Sequence, residues 1–530
     1  MAAVAGARLD NLGSAMRTAL EDWLEPLPNA AEQRALDEWA ISERGIASLE
    51  LMERAGGGLA ALVAQHCAFG PIAVVCGTGN NGGDGLVAAR LLREQGREVR
   101  VLTLSEPGEL RGDPAHNLER LPGDAAQKFS PAALEGVAAI VDAILGTGFS
   151  GEPRQPAAGA IEAINAAPDG AAAERPVVVA CDVPSGVNGS TGEVEGVAVR
   201  ASATATFHAG KPGLWIAPGK VYAGEVRVVQ IGIPAGGPSN PRIGLIRPSV
   251  VEAIPRRGRE STKFAAGSVL VVGGSTGLTG APCLASESAM RAGAGYVTAL
   301  IPRSLNPIFE ARLLEVMTAQ LPDEGGSLTP ASIDAASARF ERANALVLGP
   351  GLGRGEQTLE AARQLAASAP LPLLLDADGL NAHAGALPSL ARRERATVLT
   401  PHAGELARLL DSDSSAVSAK RLESARQAAS SARAVLVLKG DDTLVAHSDG
   451  RVAVSRGGAA ALATAGTGDV LSGVTGALLA KGMDPYHAAC AAVYVHARAG
   501  QLAAREIGSE GVIASDVIAR LPAALRDPED

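Results

Sequence analysis

An α/β protein of two three-layer α/β/α domains is what the sequence predicts, and three observations lead there. Short β-branched runs alternate with Ala/Leu/Arg-rich helical stretches, the pattern of βαβ units and of a mainly parallel sheet covered by helices. That rhythm breaks at GIPAGGPSNPRIGLIRPS (232–249), where Pro and Gly interrupt every periodic pattern, and restarts beyond it. The chain's 530 residues also exceed what one ordinary hydrophobic core covers. The expected division is 1–238 and 239–530.

In the first part the strands read at IAVVCG (72–77), REVRVLTL (97–104), AAIVDAIL (138–145), VVVACDV (177–183) and VRVVQIGI (226–233), with LVAARLLREQG (86–96) as a helix. In the second they read at GSVLVVGG (267–274), ANALVLGPG (343–351), LPLLLDADG (371–379), ATVLTPH (396–402) and AVLVLKG (434–440). The halves share glycine-rich strand ends but no motif repeats at fixed spacing, so no internal duplication is read.

Composition narrows the function. Aromatics are 3% and the net charge is −10, which argues against stacking platforms and phosphate-backbone binding, hence against nucleic acid. Cys67, Cys76, Cys181, Cys283 and Cys490 form no CxxC pair and the eight histidines show no HExxH spacing, so buried free thiols are expected rather than a zinc site. No apolar run reaches the length of a membrane span, and the start of the chain, with Arg8 and Asp10, has no secretory h-region. A cytoplasmic homo-oligomer with no membrane partner is the expectation.

The segment Gly77-Thr78-Gly79-Asn80-Asn81-Gly82-Gly83-Asp84-Gly85 follows a strand and opens a helix. Its glycines let the backbone approach a ligand, and the helix start offers free N–H groups to a phosphate. Two later strand ends, Asp142 to Gly148 (DAILGTG) and Asp182 to Asn188 (DVPSGVN), each place a carboxylate before a turn. One such Asp reads best as a cap. Three oxygen-rich loops at one sheet edge suit a hard cation and acid–base work instead.

Over about 35–235 these loops resemble the NAD(P)H-hydrate epimerases. The resemblance implies a Rossmann-like domain in which Asn80, Asn81, Gly82, Gly83 and Asp84, with Gly146, Thr147 and Gly148, bind the substrate. It also implies that Asp182 faces the nicotinamide end and that Asn81, Asp142 and Ser185 hold potassium. Inverting C6 of the hydrated ring needs a positioned acid or base, and Asp182 is the candidate. Lys211, in HAGKPG, either helps at the reacting centre or is a solvated loop lysine.

Gly466-Thr467-Gly468-Asp469 precedes an apolar helical run, so backbone N–H groups can meet a transferring phosphoryl while Asp469 lies beside the acceptor hydroxyl. An N-cap Asp would look the same taken alone. About 25 residues upstream, Lys439-Gly440-Asp441-Asp442-Thr443 ends a strand with a cation and a hydroxyl, and the combination favours a nucleotide site. From about 250 to 525, with VVGGSTGLTGAP, LVLGPGLG, LLLDADGLN and LTPHAGE, the chain resembles the ribokinase-like NAD(P)H-hydrate dehydratases. This implies that Ala281, Gly351, His402 and Asp469 contact the hydrated dinucleotide, and that Lys439 to Thr443 with Gly468 hold ADP or ATP, with magnesium. Pro282 departs from the family's small residue there and bears on the backbone at Ala281. His402 also reads as a turn histidine, and Asp376 and Asp378 as caps or magnesium organisers.

The implied substrates are NADH hydrate and NADPH hydrate. An alternative keeps the second half as a ribokinase-like vitamin-alcohol kinase and makes the first a dinucleotide sensor. The fusion favours repair, because a dehydratase specific for one C6 epimer needs an epimerase to feed it.

Overall fold

The computed structural model describes residues 20–167 and 175–526; the N-terminal stretch around Arg8 and Asp10 lies outside them. After β1 (Leu24–Pro26) come β2 (Ile72–Cys76), β3 (Val99–Thr103), β4 (Gln127–Lys128), β5 (Ala139–Ala143), β6 (Val177–Cys181), β7 (Ala203–Phe207) and β8 (Glu225–Val229). The last seven form one sheet in the order β4-β3-β2-β5-β6-β7-β8, parallel throughout. Its inner strands β2, β5, β6 and β7 are buried on both faces, as parallel sheets under two helical layers are, while the edge strands β4 and β8 are partly exposed. Val74 and Val141 face one core, while Ala73, Val75 and Ile140 face the other.

The second half adds β9 (Ile243–Ile246), β10 (Ser268–Val272), β11 (Tyr296–Pro302), β12 (Met317–Leu321), a small hairpin of β13 (Asp323–Glu324) and β14 (Ser327–Leu328), β15 (Ala345–Leu348), β16 (Leu373–Leu375), β17 (Thr397–Leu399), β18 (Val435–Leu438), β19 (Leu444–Ala446) and β20 (Val452–Val454). These strands, apart from the hairpin, join β1 in an 11-stranded sheet ordered β1-β9-β20-β19-β18-β17-β16-β15-β10-β11-β12. The run from β18 to β12 is parallel. Both faces are again covered, with Val269 and Val271 in one core and Leu270 and Val272 in the other.

Two features depart from the sequence reading. The Pro/Gly-rich stretch at 232–249 is not all linker: Ile243–Ile246 is a fully buried strand. And β1 leaves the half that follows it in sequence, pairing antiparallel with β9 through Leu24↔Ile246. All five cysteines are buried and unpaired, and burial pushes the Cys76 thiol up to about 12. Among the described residues no helix is long and apolar enough to cross a membrane.

Candidate active sites

In the first half the three oxygen-rich loops meet where β2, β5 and β6 end, around a cavity of about 1230 Å³. The helix Asn80–Glu94 starts directly over these strand ends. Its approach is so close that a Cβ on Gly82 would sit 2.1 Å from the Gly77 carbonyl oxygen. Only glycine fits there.

Asp182 occupies the left-handed region at φ 64°, an uncommon setting for a non-glycine residue. Its Oδ2 accepts from the Thr147 hydroxyl and backbone N–H. Its Oδ1 accepts from Thr206 Oγ1 at 3.2 Å and lies 2.9 Å from Lys211 Nζ. Lys211 is 1% exposed and also donates to the Phe207 carbonyl at 2.6 Å. Burial raises the Asp182 carboxyl, but the Lys211 ammonium and the Thr147 hydroxyl outweigh it and hold the group below the usual range. Asp84 behaves oppositely: burial first, then repulsion from Asp182 and Asp37, keeps it well above that range.

Behind this pair Asp142 is fully buried. It accepts from Ser185 Oγ at 2.5 Å, Ser185 N at 2.8 Å and Ile144 N at 3.3 Å. Burial pushes it to about 6 despite these bonds, and among the described residues no cationic side chain pairs with it. The Asn81 amide oxygen lies beside Gly146, 2.9 Å from where a Cβ would be, while its buried nitrogen has no hydrogen-bond partner.

In the second half the site forms at the carboxyl ends of β10 and β15 to β18. Gly466, at φ 90°, precedes the helix Thr467–Ala480, and Asp469 lies in its first turn. Lys439 Nζ, 3.5 Å from where a Cβ on Gly468 would be, is 2.9 Å from Asp376 Oδ1 and 3.6 Å from Glu405 Oε2. Asp376 also accepts from Ser472 Oγ at 2.7 Å. Burial, followed by the charges of Asp376 and Glu405, pushes Asp469 up to about 7 against the pull of Lys439.

His402 is the N-cap of the helix Ala403–Leu409 and forms a capping box with Glu405. Its Nδ1 accepts from Gly404 N at 3.0 Å and Glu405 N at 3.3 Å, so the neutral ring keeps its proton on Nε2. Burial, aided by Lys439 and Arg408, lowers its pKa. Gly351 and Ala281 come together: a Cβ on Gly351 would lie 3.4 Å from Ala281 Cβ. Pro282 is the third residue of the helix Gly280–Arg291, where no intrahelical donor is required.

The NAD(P)H-hydrate dehydratase family model matches residues 269–523, and that of the YjeF-related protein N-terminus matches 48–213. The chain is 39% identical to the bifunctional NAD(P)H-hydrate repair enzyme of Moorella thermoacetica, covering 95% of this chain and 97% of that one. The chain belongs to the bifunctional NAD(P)H-hydrate repair enzymes. The Leishmania major repair enzyme is 34% identical, with 93% and 92% covered. A solved ADP/ATP-dependent NAD(P)H-hydrate dehydratase from Bacillus subtilis is 29% identical over 52% of this chain and 94% of its own, with a TM-score of 0.44.

In this repair-enzyme chain Asn80, Asn81, Asp84, Gly146, Thr147, Gly148 and Asp182 all line the first cavity, whereas Gly82 and Gly83 pack beneath it. Asp142 and Ser185 sit behind that wall. Lys439, Gly468 and Asp469 converge, while the Asp442 carboxylate turns away to Arg421, 2.8 Å off, and the Thr443 hydroxyl bonds back to the Gly440 carbonyl at 2.6 Å. Sequence reasoning missed Asp37 and Arg34, which line the first cavity from the helix Ala30–Ser42, outside any motif. It also missed Glu405, although that residue ends LTPHAGE, and it left Lys211 between a role at the reacting centre and a solvated loop position, whereas the lysine is buried. Asp378 bonds Gly353 N at 2.9 Å and braces the neighbouring loop.

Proposed function

We propose that residues 1–238 interconvert the R and S forms at C6 of hydrated NADH and NADPH, and that residues 239–530 dehydrate the S form using ADP or ATP. The observation that carries this reading is Asp469, held at about 7 beside Lys439 at a glycine-opened helix start. A carboxyl poised near neutrality can accept a hydroxyl proton as a phosphoryl group arrives.

In the first half Asp182, its carboxyl held low by Lys211, is the base at the reacting carbon, and Asp84, its carboxyl raised by burial, is the neighbouring acid; environments that push two carboxyls apart in this way assign such roles. Asn80 and Asn81 at the helix start, with Gly146 to Gly148, hold the dinucleotide. Arg34 adds a cation at the cavity rim. Potassium fits beside Asn81, Asp142 and Ser185, because the buried Asp142 carboxylate, which no cationic side chain pairs among the described residues, and the Asn81 amide oxygen beside Gly146 supply oxygen and negative charge there. It would supply charge balance there.

In the second half Asp469 takes the C6 hydroxyl proton as that oxygen bonds the terminal phosphorus of the nucleotide, whose remainder leaves. The ring nitrogen's lone pair then expels inorganic phosphate from C6, and loss of the C5 proton restores the double bond. Lys439 and the N–H groups from Gly466 to Asp469 stabilise the transferring group. Ala281, Gly351 and His402, with a proton fixed on Nε2, orient the ring and its ribose. Asp376 and Glu405, which both face Lys439, are the carboxylates that would hold magnesium, and the ion would offset charge on the phosphates.

The test follows the near-ultraviolet absorbance of the dihydronicotinamide from a mixed-epimer NADH hydrate preparation with magnesium, potassium and either nucleotide. The native chain recovers it fully, and Asp182→Asn stalls at the S fraction. A stable phosphate ester accumulating in place of inorganic phosphate would install the alcohol-kinase reading.

A further inference from the structure

Lys211, paired with Asp182 in the first site, is followed by a short turn at Pro212–Leu214 and then by Trp215, Ile216 and Ala217. The near end of this segment is fixed in the first half. Gly213 N donates to the Gly189 carbonyl at 2.9 Å, and a Cβ on Gly213 would come within 2.3 Å of the Asn188 carbonyl oxygen. Its far end is built into the second half, where Ile216 is fully buried in the core under the larger sheet.

From there the segment reaches the loop 439–443. Ala217 N donates to Asp442 Oδ2 at 2.8 Å, the same carboxylate that Arg421 Nε meets at 2.8 Å. The Arg421 guanidinium also reaches the carbonyls of Leu438 at 3.4 Å and Lys439 at 3.3 Å. Lys220 pairs with the Asp441 carboxylate and lies 3.4 Å from the Asp441 carbonyl. Its Nζ is 3.1 Å from where a Cβ on Gly457 would be, and Gly458 N donates to Asp441 Oδ1 at 3.3 Å. Both aspartates of the loop are therefore held from the first half, one by a backbone N–H and one by an ammonium.

We propose that Lys220 is a positioning residue of the dehydratase, contributed by the epimerase half: it neutralises Asp441 and fixes the 439–443 loop for the phosphates of a nucleoside di- or triphosphate. This rests on the reading that the nucleotide binds at that loop. Among the described residues Lys220 is the cation paired with Asp441. Without it an exposed carboxylate would face an incoming polyanion, and the loop would lose one of its two ties to the first half.

The test uses the full-length protein and two readouts, ADP and ATP binding by calorimetry without hydrate, and the KM and kcat of S-hydrate dehydration. Lys220→Ala weakens nucleotide binding about three- to fivefold, the size of one partly exposed ion pair. Lys220→Glu, which sets a carboxylate against Asp441, weakens it about tenfold or more. In both, the nucleotide KM moves while kcat holds, Lys220→Arg restores binding, and retained epimerase activity reports an intact fold. Native-like nucleotide binding by Lys220→Glu, with Lys439→Ala abolishing it, overturns the role of Lys220 alone. Native-like binding by Lys439→Ala overturns the nucleotide reading and this proposal with it.

Discussion

Asp469 shows how one side chain is tuned by neighbours that the sequence scatters across the chain. Its carboxyl is raised to about 7 by burial and then by Asp376 and Glu405, with Lys439 opposing. A base must be deprotonated to accept the hydroxyl proton, so kcat/KM for S-hydrate dehydration should climb as pH rises, level off above about 7, and fall tenfold per pH unit well below it. Asp469→Asn should erase that limb and lower kcat by roughly a thousandfold; a profile flat from pH 5 to 9 in the native protein would assign the proton to another group. The motif around Asp469 was legible only together with Lys439 to Thr443 upstream, since an acid after glycines at a helix start also reads as a cap. The tuning was not, since Asp376 and Glu405 belong to different strand ends that only the order of β16, β17 and β18 brings together. Lys211 was opaque for a related reason: a lysine in a Gly/Pro loop reads as solvated until Asp182 and the Phe207 carbonyl are seen to enclose it.

At the scale of elements, the sequence revealed strands made almost wholly of apolar residues and rich in Val, Ile and Leu, such as β2, β6, β10 and β18. It hid those that lack that signature. The strand β7 alternates Ala and Thr, β9 is a four-residue IGLI between prolines, and β19 and β20 are three residues each. Their identity comes from pairing, which one-dimensional periodicity does not carry. The glycine loop over β2 was legible as a tight turn into a helix, and the structure, which lines the first cavity with it, adds why it tolerates so little change. With the Gly77 carbonyl 2.1 Å from a Gly82 Cβ, Gly82→Ala must push the helix Asn80–Glu94 off the strand ends. A displacement of about 1 Å at a reacting centre costs on the order of a hundredfold. Epimerisation, followed by the exchange of resolved R and S hydrates, should fall by that amount while S-hydrate dehydration is retained. Equal loss of both activities would mean that the substitution unfolds the chain.

Across the whole molecule, the order of the chain interlocks its halves. The chain passes through β1 in the larger sheet before building the smaller one, and Leu27, fully buried, joins the core of the second half. Trp23 stacks on His487 with ring centroids 4.6 Å apart, Glu21 and Glu25 pair with Arg451 and Arg456, and Ile216, far along the chain, joins the same core as Leu27. A division at 238/239 describes where the sheets change but cuts through this packing, which sequence alone could not disclose because β1 has three residues and no partner nearby in the chain. Halves that share core residues should not unfold independently. In a urea titration of the full-length protein, epimerase and dehydratase activities should vanish in one coincident transition. Leu27→Ala, which leaves a cavity in the second core and removes about 2–5 kcal/mol, should lower both midpoints together although the residue touches neither site. Two separate transitions, with only the dehydratase midpoint moved, would show instead that the interlock is a contact without shared stability.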